Sequence, residues 1–205
     1  MRKLTILLLI IPLISFGQSW TYEEGGNVFD GQFKTSSVKG KGANYPYTSP
    51  SLVINIFEGE QLDFYISGGG YFQEKTGIGV LWVFDNEPDK IYSTYDWSIS
   101  PNGEILFFRE FNNPDGSGKL KPIDVIDKLT LGSKVTVRIK DDFSSNDIVF
   151  SLNGSSKAIN FVIPKEKRQQ MIVEAKDERI KKEKEEKIEL IDEIDDDEIY
   201  NFVNV

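Results

Sequence analysis

The carboxylates of Asp85, Glu87 and Asp89 crowd one short stretch, Asp85-Asn86-Glu87-Pro88-Asp89, directly behind an apolar run. Paired carboxylates at a strand end can serve as the acid and the nucleophile of a glycosidase, or hold calcium through oxygen. A polar turn stiffened by proline is the plainer reading. Asp96 is a further carboxylate that a hydrolase could draw on. Tyr92, Tyr95 and Trp97 follow two or three positions apart. Near a strand edge they could share one face and stack on the flat apolar side of a sugar. Trp20 and Tyr71 could extend such a platform, whereas Trp82 sits inside an apolar run and reads as core.

Other suggestive stretches carry less chemistry. The loop Asn112-Asn113-Pro114-Asp115-Gly116-Ser117-Gly118 begins like a calcium loop but lacks the alternating ligand spacing and the closing glutamate of an EF-hand. Gly68-Gly69-Gly70 lacks the lysine and hydroxyl of a phosphate loop and reads as a bulge or turn. Asp195-Asp196-Asp197-Glu198 reads as a solvated helix end. Ser36-Ser37-Val38-Lys39 has the spacing of a Ser-Lys pair, but in a strand-like stretch.

The chain has no His and no Cys. No Ser-His-Asp triad, His-based zinc site, thiol nucleophile or disulfide can therefore be built. Catalysis would have to run on carboxylates, Lys, Tyr or an oxygen-bound metal. The residues assign no catalytic group, no metal site and no cofactor.

These groups must be positioned by short strands. Ser51–Phe57 (SLVINIF) and residues 61–67 (QLDFYIS) flank Glu58-Gly59-Glu60, a hairpin loop by composition. Residues 78–84 (IGVLWVF) are almost continuously apolar, which predicts a central strand covered on both faces. Pro101-Asn102-Gly103 signals a tight turn between two further strands. Lys134–Lys140 (KVTVRIK) and residues 147–152 (DIVFSL) alternate, as half-buried strands do. Ile123, Ile126 and Leu129, between Pro122 and Gly132, predict a short helix. A second turn of helix is expected after Gly154, capped by Ser155 or Ser156.

Residues 165–205 differ in texture, with 14 acidic and 9 basic residues and no Gly or Pro. Pro164 marks the boundary. The composition predicts a long exposed helix, and the gap between Ile180 and Ile188 breaks the apolar stripe that a sustained coiled coil requires. A solvated spacer is one reading of it, and a helical docking segment is another.

The N-terminus supplies an address. Arg2 and Lys3 precede an apolar run over residues 4–15, and Ser15-Phe16-Gly17 offers small residues ahead of a cut before Gln18, the pattern of a secretory signal peptide. The run is too short to span a bilayer, so no stable membrane span is expected after cleavage. Removing Arg2 and Lys3 from the 24 basic residues leaves 22 against 33 acidic ones, a net charge of −11. That balance disfavours nucleic acid and anionic membrane surfaces as partners.

The order of features resembles a known group. Trp20, Asp30-Gly31, the SLVINIF segment, residues 80–85 (VLWVFD), Trp97-Ser98, the Ile123 helix, VTVRI and residues 150–159 (FSLNGSSKAI) follow one another. This is similar to the exported β-sandwich domains of the invasion-associated locus B type and to the type VI secretion-associated VasI proteins. The resemblance covers residues 20–163. It implies a periplasmic, non-catalytic accessory role and supplies no catalytic residues, and the Cys pair usual in those proteins is missing here.

The expectation is a mainly β protein. A signal peptide (1–17) precedes an antiparallel β-sandwich or open barrel with one or two short helices (18–163) and a charged helical tail (164–205). It would be periplasmic or secreted and bind an envelope protein through Asp85, Glu87, Tyr92, Tyr95 and Trp97. The alternative is a carbohydrate-binding module or a weak carboxylate-based glycoside hydrolase.

Overall fold

A computed structural model of the chain describes residues 19–27, 31–42, 49–57, 62–72, 77–142 and 144–202, with side chains through 185 and at 188. The leader and the Glu58-Gly59-Glu60 loop lie outside the described residues. Ten strands form one sheet: β1 (Trp20–Asn27), β2 (Gly31–Lys41), β3 (Ser51–Phe57), β4 (Leu62–Ser67), β5 (Gly79–Phe84), β6 (Tyr92–Ile99), β7 (Ile105–Asn112), β8 (Lys119–Leu120), β9 (Lys134–Lys140) and β10 (Ser145–Ser151). Among the described residues three helices accompany them: α1 (Pro122–Lys128), α2 (Ser155–Val162) and α3 (Lys165–Phe202).

The sheet runs β2-β10-β9-β5-β6-β7-β4-β3, and β3 pairs back onto β2. Eight strands therefore close an antiparallel barrel, and the sandwich alternative is corrected. One continuous ring of hydrogen bonds replaces two facing sheets. β1 and β10 share one edge of β2, β1 along residues 31–38 and β10 at Gly40 and Lys41. The Trp20 indole joins the two by donating to the Ser151 carbonyl at 3.2 Å.

Alternation decides what faces inward. Val135, Val137 and Ile139 of β9 are buried while Lys134, Arg138 and Lys140 are exposed. On the outside, the Arg138 guanidinium makes a two-pronged pair with Asp147 at 2.6 and 2.7 Å. An apolar interior with a charged exterior is the reverse of a membrane-spanning barrel. Among the described residues no helix is long and apolar enough to cross a membrane.

The strand buried on both faces is β3 rather than β5. Val80, Trp82 and Phe84 point into the barrel, but Leu81 is exposed on the outside. The apolar run of β5 therefore reflects one buried face and an outer strip of Leu81 and Val83, a pattern that composition alone cannot separate from double burial.

Both mouths are plugged. At one end the chain just after β4, at Gly69, crosses over Ile66, Ile139 and Ile148. A Cβ placed on Gly69 would meet all three, Ile66 Cγ2 at 3.0 Å, and this close approach is what the glycine serves. At the other end α1 carries the chain from β8 to β9 and buries Ile123, Val125 and Ile126. Between the plugs, Trp82, Phe64, Phe108 and Phe111 pack ring to ring with centroids 4.9 to 6.1 Å apart. Among the described residues the barrel interior is filled by the chain's own side chains.

α2 starts at Gly154, which has φ +87. The expected serine caps do something else. Ser155 Oγ donates to the Leu129 carbonyl (2.7 Å) and Ser156 Oγ to that of Thr130 (3.1 Å). Both satisfy carbonyls that the end of α1 leaves open, and so tie the two helices together.

Candidate functional site

Between the barrel wall and α3 lies a cleft of about 340 Å³ lined by Tyr95, Glu110, Lys119, Lys121, Arg179 and Lys182, among others. Its geometry begins with a pair of irregularities. The register of β6 against β7 shifts between Thr94, Asp96 and Trp97, so Tyr95 and Asp96 oppose fewer residues than regular pairing would give. Such bulges re-aim side chains. Thr94 still faces the core, where its hydroxyl accepts from Trp82 Nε1 at 3.0 Å. Tyr95 is thrown outward with 58% of its surface exposed. On β7 the inward positions step from Phe108 to Phe111, which leaves Arg109 and Glu110 outside.

The expected aromatic face is therefore corrected. Tyr92 is buried, Tyr95 is exposed, and Trp97 packs back against the core. The bulge between them switches sides, so the three rings do not form one platform. One face of the Tyr95 ring is already covered by the Lys119 ammonium, 3.0 Å from the ring centroid.

Asp85 and Glu87 sit together on the β5–β6 turn, and both are engaged internally. Asp85 accepts hydrogen bonds from the Ser133 hydroxyl, the Ser133 amide (3.0 Å) and the Lys134 amide (3.2 Å). Slight burial raises its pKa, but these donors outweigh that and hold it below its ordinary value. Glu87 accepts the Tyr92 hydroxyl (2.6 Å), Lys90 (3.1 Å) and Lys128 (3.2 Å). Its pKa is pulled down to about 2, chiefly by the Tyr92 hydroxyl; burial opposes the shift, and Lys90 and Lys128 add to it. The Tyr92 hydroxyl is raised in turn by burial and by the Glu87 carboxylate. A glycosidase needs one carboxyl that keeps its proton near neutral pH. Asp85 and Glu87 are both shifted the other way. Asp96 lies exposed on the bulge.

The Glu87 node predicts an acid response. A carboxyl whose folded pKa lies below its unfolded value adds stability that is present above the usual value near 4.5 and is lost as pH falls toward 2. Glu87→Gln should therefore give a melting temperature that falls less steeply than wild type between pH 5 and pH 2, in a thermal-unfolding series read by circular dichroism. Parallel curves would mean that the node adds nothing.

Helix α3 forms the other wall of the cleft. Arg168 is only 4% exposed and donates to Asp127 (2.8 Å) and Asn160 (2.8 Å). One face continues through Ile172 and Ala175 to Arg179, which donates to the Lys119 carbonyl (3.0 Å) and lies 3.7 Å from Asp124. The spacing of these four positions, 4, 3 and 4, is that of a helix face. This spacing could have shown in the sequence that the tail docks before it projects. It is masked by the surrounding charge, and Lys119, Lys128 and Arg179 gave no motif to find. The spacer expectation is corrected for residues 165–180.

Among the described residues no three acidic side chains converge to hold a metal ion. Comparisons with protein-family models, curated proteins and solved structures return no match to this chain.

Proposed function

We propose that the protein is an exported, non-catalytic binding domain of the cell envelope that acts through protein–protein contacts, with the barrel as base and α3 as arm. The observation that carries this reading is the way α3 is rooted. Arg168 is buried against Asp127 and Asn160, and Ala175 is buried one face-length further on. The helix then runs on from residue 181 to 202, about 33 Å at 1.5 Å per residue. Rooting a helix so firmly fixes where the rest of it points, which suits presentation to a partner. The filled barrel and the two lowered carboxyl groups favour binding over turnover. The apolar start at residues 4–15 supports export.

Ending the chain after Ile180 should keep the barrel's melting temperature within a few degrees and abolish co-purification of a reproducible envelope partner. A partner held equally well by the shortened chain would move the working surface to the barrel.

A further inference from the structure

We propose that the open edge of β1 takes an extended strand of a partner protein, one that carries a basic residue and a bulky apolar residue two positions apart. This surface lies on the barrel and does not depend on α3. Among the described residues β1 pairs with β2 along Trp20–Asn27 and with no strand on its other side. Such an edge presents a row of open amides and carbonyls, and proteins usually blunt it with proline, lysine, a bulge or a very short strand. β8, which also lies outside the ring, is blunted. It is two residues long, and Arg179 donates to its Lys119 carbonyl. β1 runs for eight residues in unbroken register and holds no Pro or Lys.

The side chains say what covers this edge. Thr21, Glu23 and Gly25 share the outer face with Ser37, Thr35 and Phe33 of β2. The Thr21 and Ser37 hydroxyls lie 2.9 Å apart, and Thr35 donates to Asn55 at 2.6 Å. Glu23 is exposed among these hydroxyls, and among the described residues no cation pairs with it. The nearby Lys34 and Lys157 stand over the rings of Phe161 and Tyr22, on the opposite face. Gly25 leaves a gap into which Phe33 leans, since a Cβ there would stand 2.9 Å from the tip of the ring. Phe57 packs beyond, with centroids 6.4 Å apart. A groove of about 740 Å³ opens at this point, between Glu24 and Gly25 of β1, Ile56 and Phe57 of β3 and Val162 of α2. In strand addition the main chain supplies affinity and pockets for alternate side chains supply selectivity. A basic side chain opposite Glu23 and an apolar one opposite Gly25 fall on one face of the added strand. A second copy of β1 is a poor occupant. Paired antiparallel about its midpoint it sets Glu23 against Glu24 twice over, and like charges directly opposite destabilise a pair.

The test uses the full chain and a short peptide of Thr and Val that carries Phe and Lys two positions apart. Two controls are N-methylated on the amides of one edge or of the other, and a third has Ala and Glu for Phe and Lys. Hydrogen exchange followed by NMR should show alternate amides of β1 exchanging fast in the free protein and about tenfold slower with the peptide. One N-methylated peptide should keep this protection and the other lose it, and the Ala/Glu peptide should give none. Glu23→Lys should weaken binding by about threefold or more while keeping its melting curve. Gly25→Val, whose branched side chain displaces the Phe33 ring, should weaken it by about tenfold. The proposal fails if the outward amides of β1 are already protected in the free protein, if both N-methylated peptides act alike, if either variant binds as wild type does, or if no peptide binds. It fails too if light scattering shows a dimer of the free protein that the peptide dissociates, since the edge would then belong to a second copy. Each of these failures leaves the arm reading standing, because ending the chain at Ile180 removes no part of β1.

Discussion

Replacing Trp82 by alanine should lower the melting temperature by about 10 °C or leave the domain unfolded. The indole is fully buried and packs against Phe64, Phe108 and Phe111 with centroids 5.4, 4.9 and 5.7 Å away. Large-to-small changes of this kind cost about 3–5 kcal/mol, from lost transfer energy and the cavity left behind. For a domain of this size each kcal/mol shifts the midpoint by roughly 2–4 °C. With no Cys, the chain has no covalent restraint to offset the loss. Trp82→Phe separates two contributions. It keeps much of the aromatic packing but leaves the Thr94 hydroxyl without the indole donor, so its loss should be clearly smaller. A melting curve for Trp82→Ala within about 3 °C of wild type would show that the plugged barrel does not depend on this ring.

Asp127→Ala should release the root of α3 while most of the barrel stays folded. The carboxylate accepts the Nε donor of Arg168, whose side chain is 5% exposed against 30% for Asp127. Removing one partner of a buried ion pair strands the other charge, at a cost of about 3–5 kcal/mol, and the partial exposure of Asp127 places this case near the low end. The Asn160 side chain would still accept from Arg168, but it carries no charge. Amide hydrogen exchange over residues 165–180 should become faster by a hundredfold or more, while that of β9 and β10 changes little. Adding Arg168→Met should recover much of the protection, because an apolar side chain of similar length leaves no unpaired charge. Equal exchange in wild type and Asp127→Ala would show that packing of Ile172 and Ala175 alone holds the helix.

Alternation made β9 and β10 legible from the sequence. Val135, Val137, Ile139, Ile148 and Phe150 were placed on the inner face by period two alone, and α1 by Ile123, Ile126 and Leu129. Closure was not legible, because it depends on which strands meet. No local pattern shows that β3 pairs back onto β2, or that β1 and β10 divide one edge. The site was read least well. A bulge shifts register by one residue, and that single residue separates an exposed Tyr95 from an inward Trp97. The carboxylates of Asp85 and Glu87 were found by composition, but beside the nearby Tyr92 and Lys90 their donors include Ser133 and Lys128, more than forty positions away. Distance along the chain hid what proximity in space decides.

Barrel closure has a kinetic corollary. The pairing that joins β2 to β10, Gly40 with Phe150 and Lys41 with Val149, brings together groups about 110 positions apart. Bringing such distant segments together requires most of the chain's disorder to be lost before any reward arrives, and folding slows accordingly. A fragment emerging from the ribosome without β10 has β2 paired to β1 and β3 but no ring to complete. The domain therefore stays a loose, threadable polypeptide until nearly all of it has been synthesised. The same topology that delays the fold then holds it closed, since no strand of the ring can leave without breaking pairs on both of its edges.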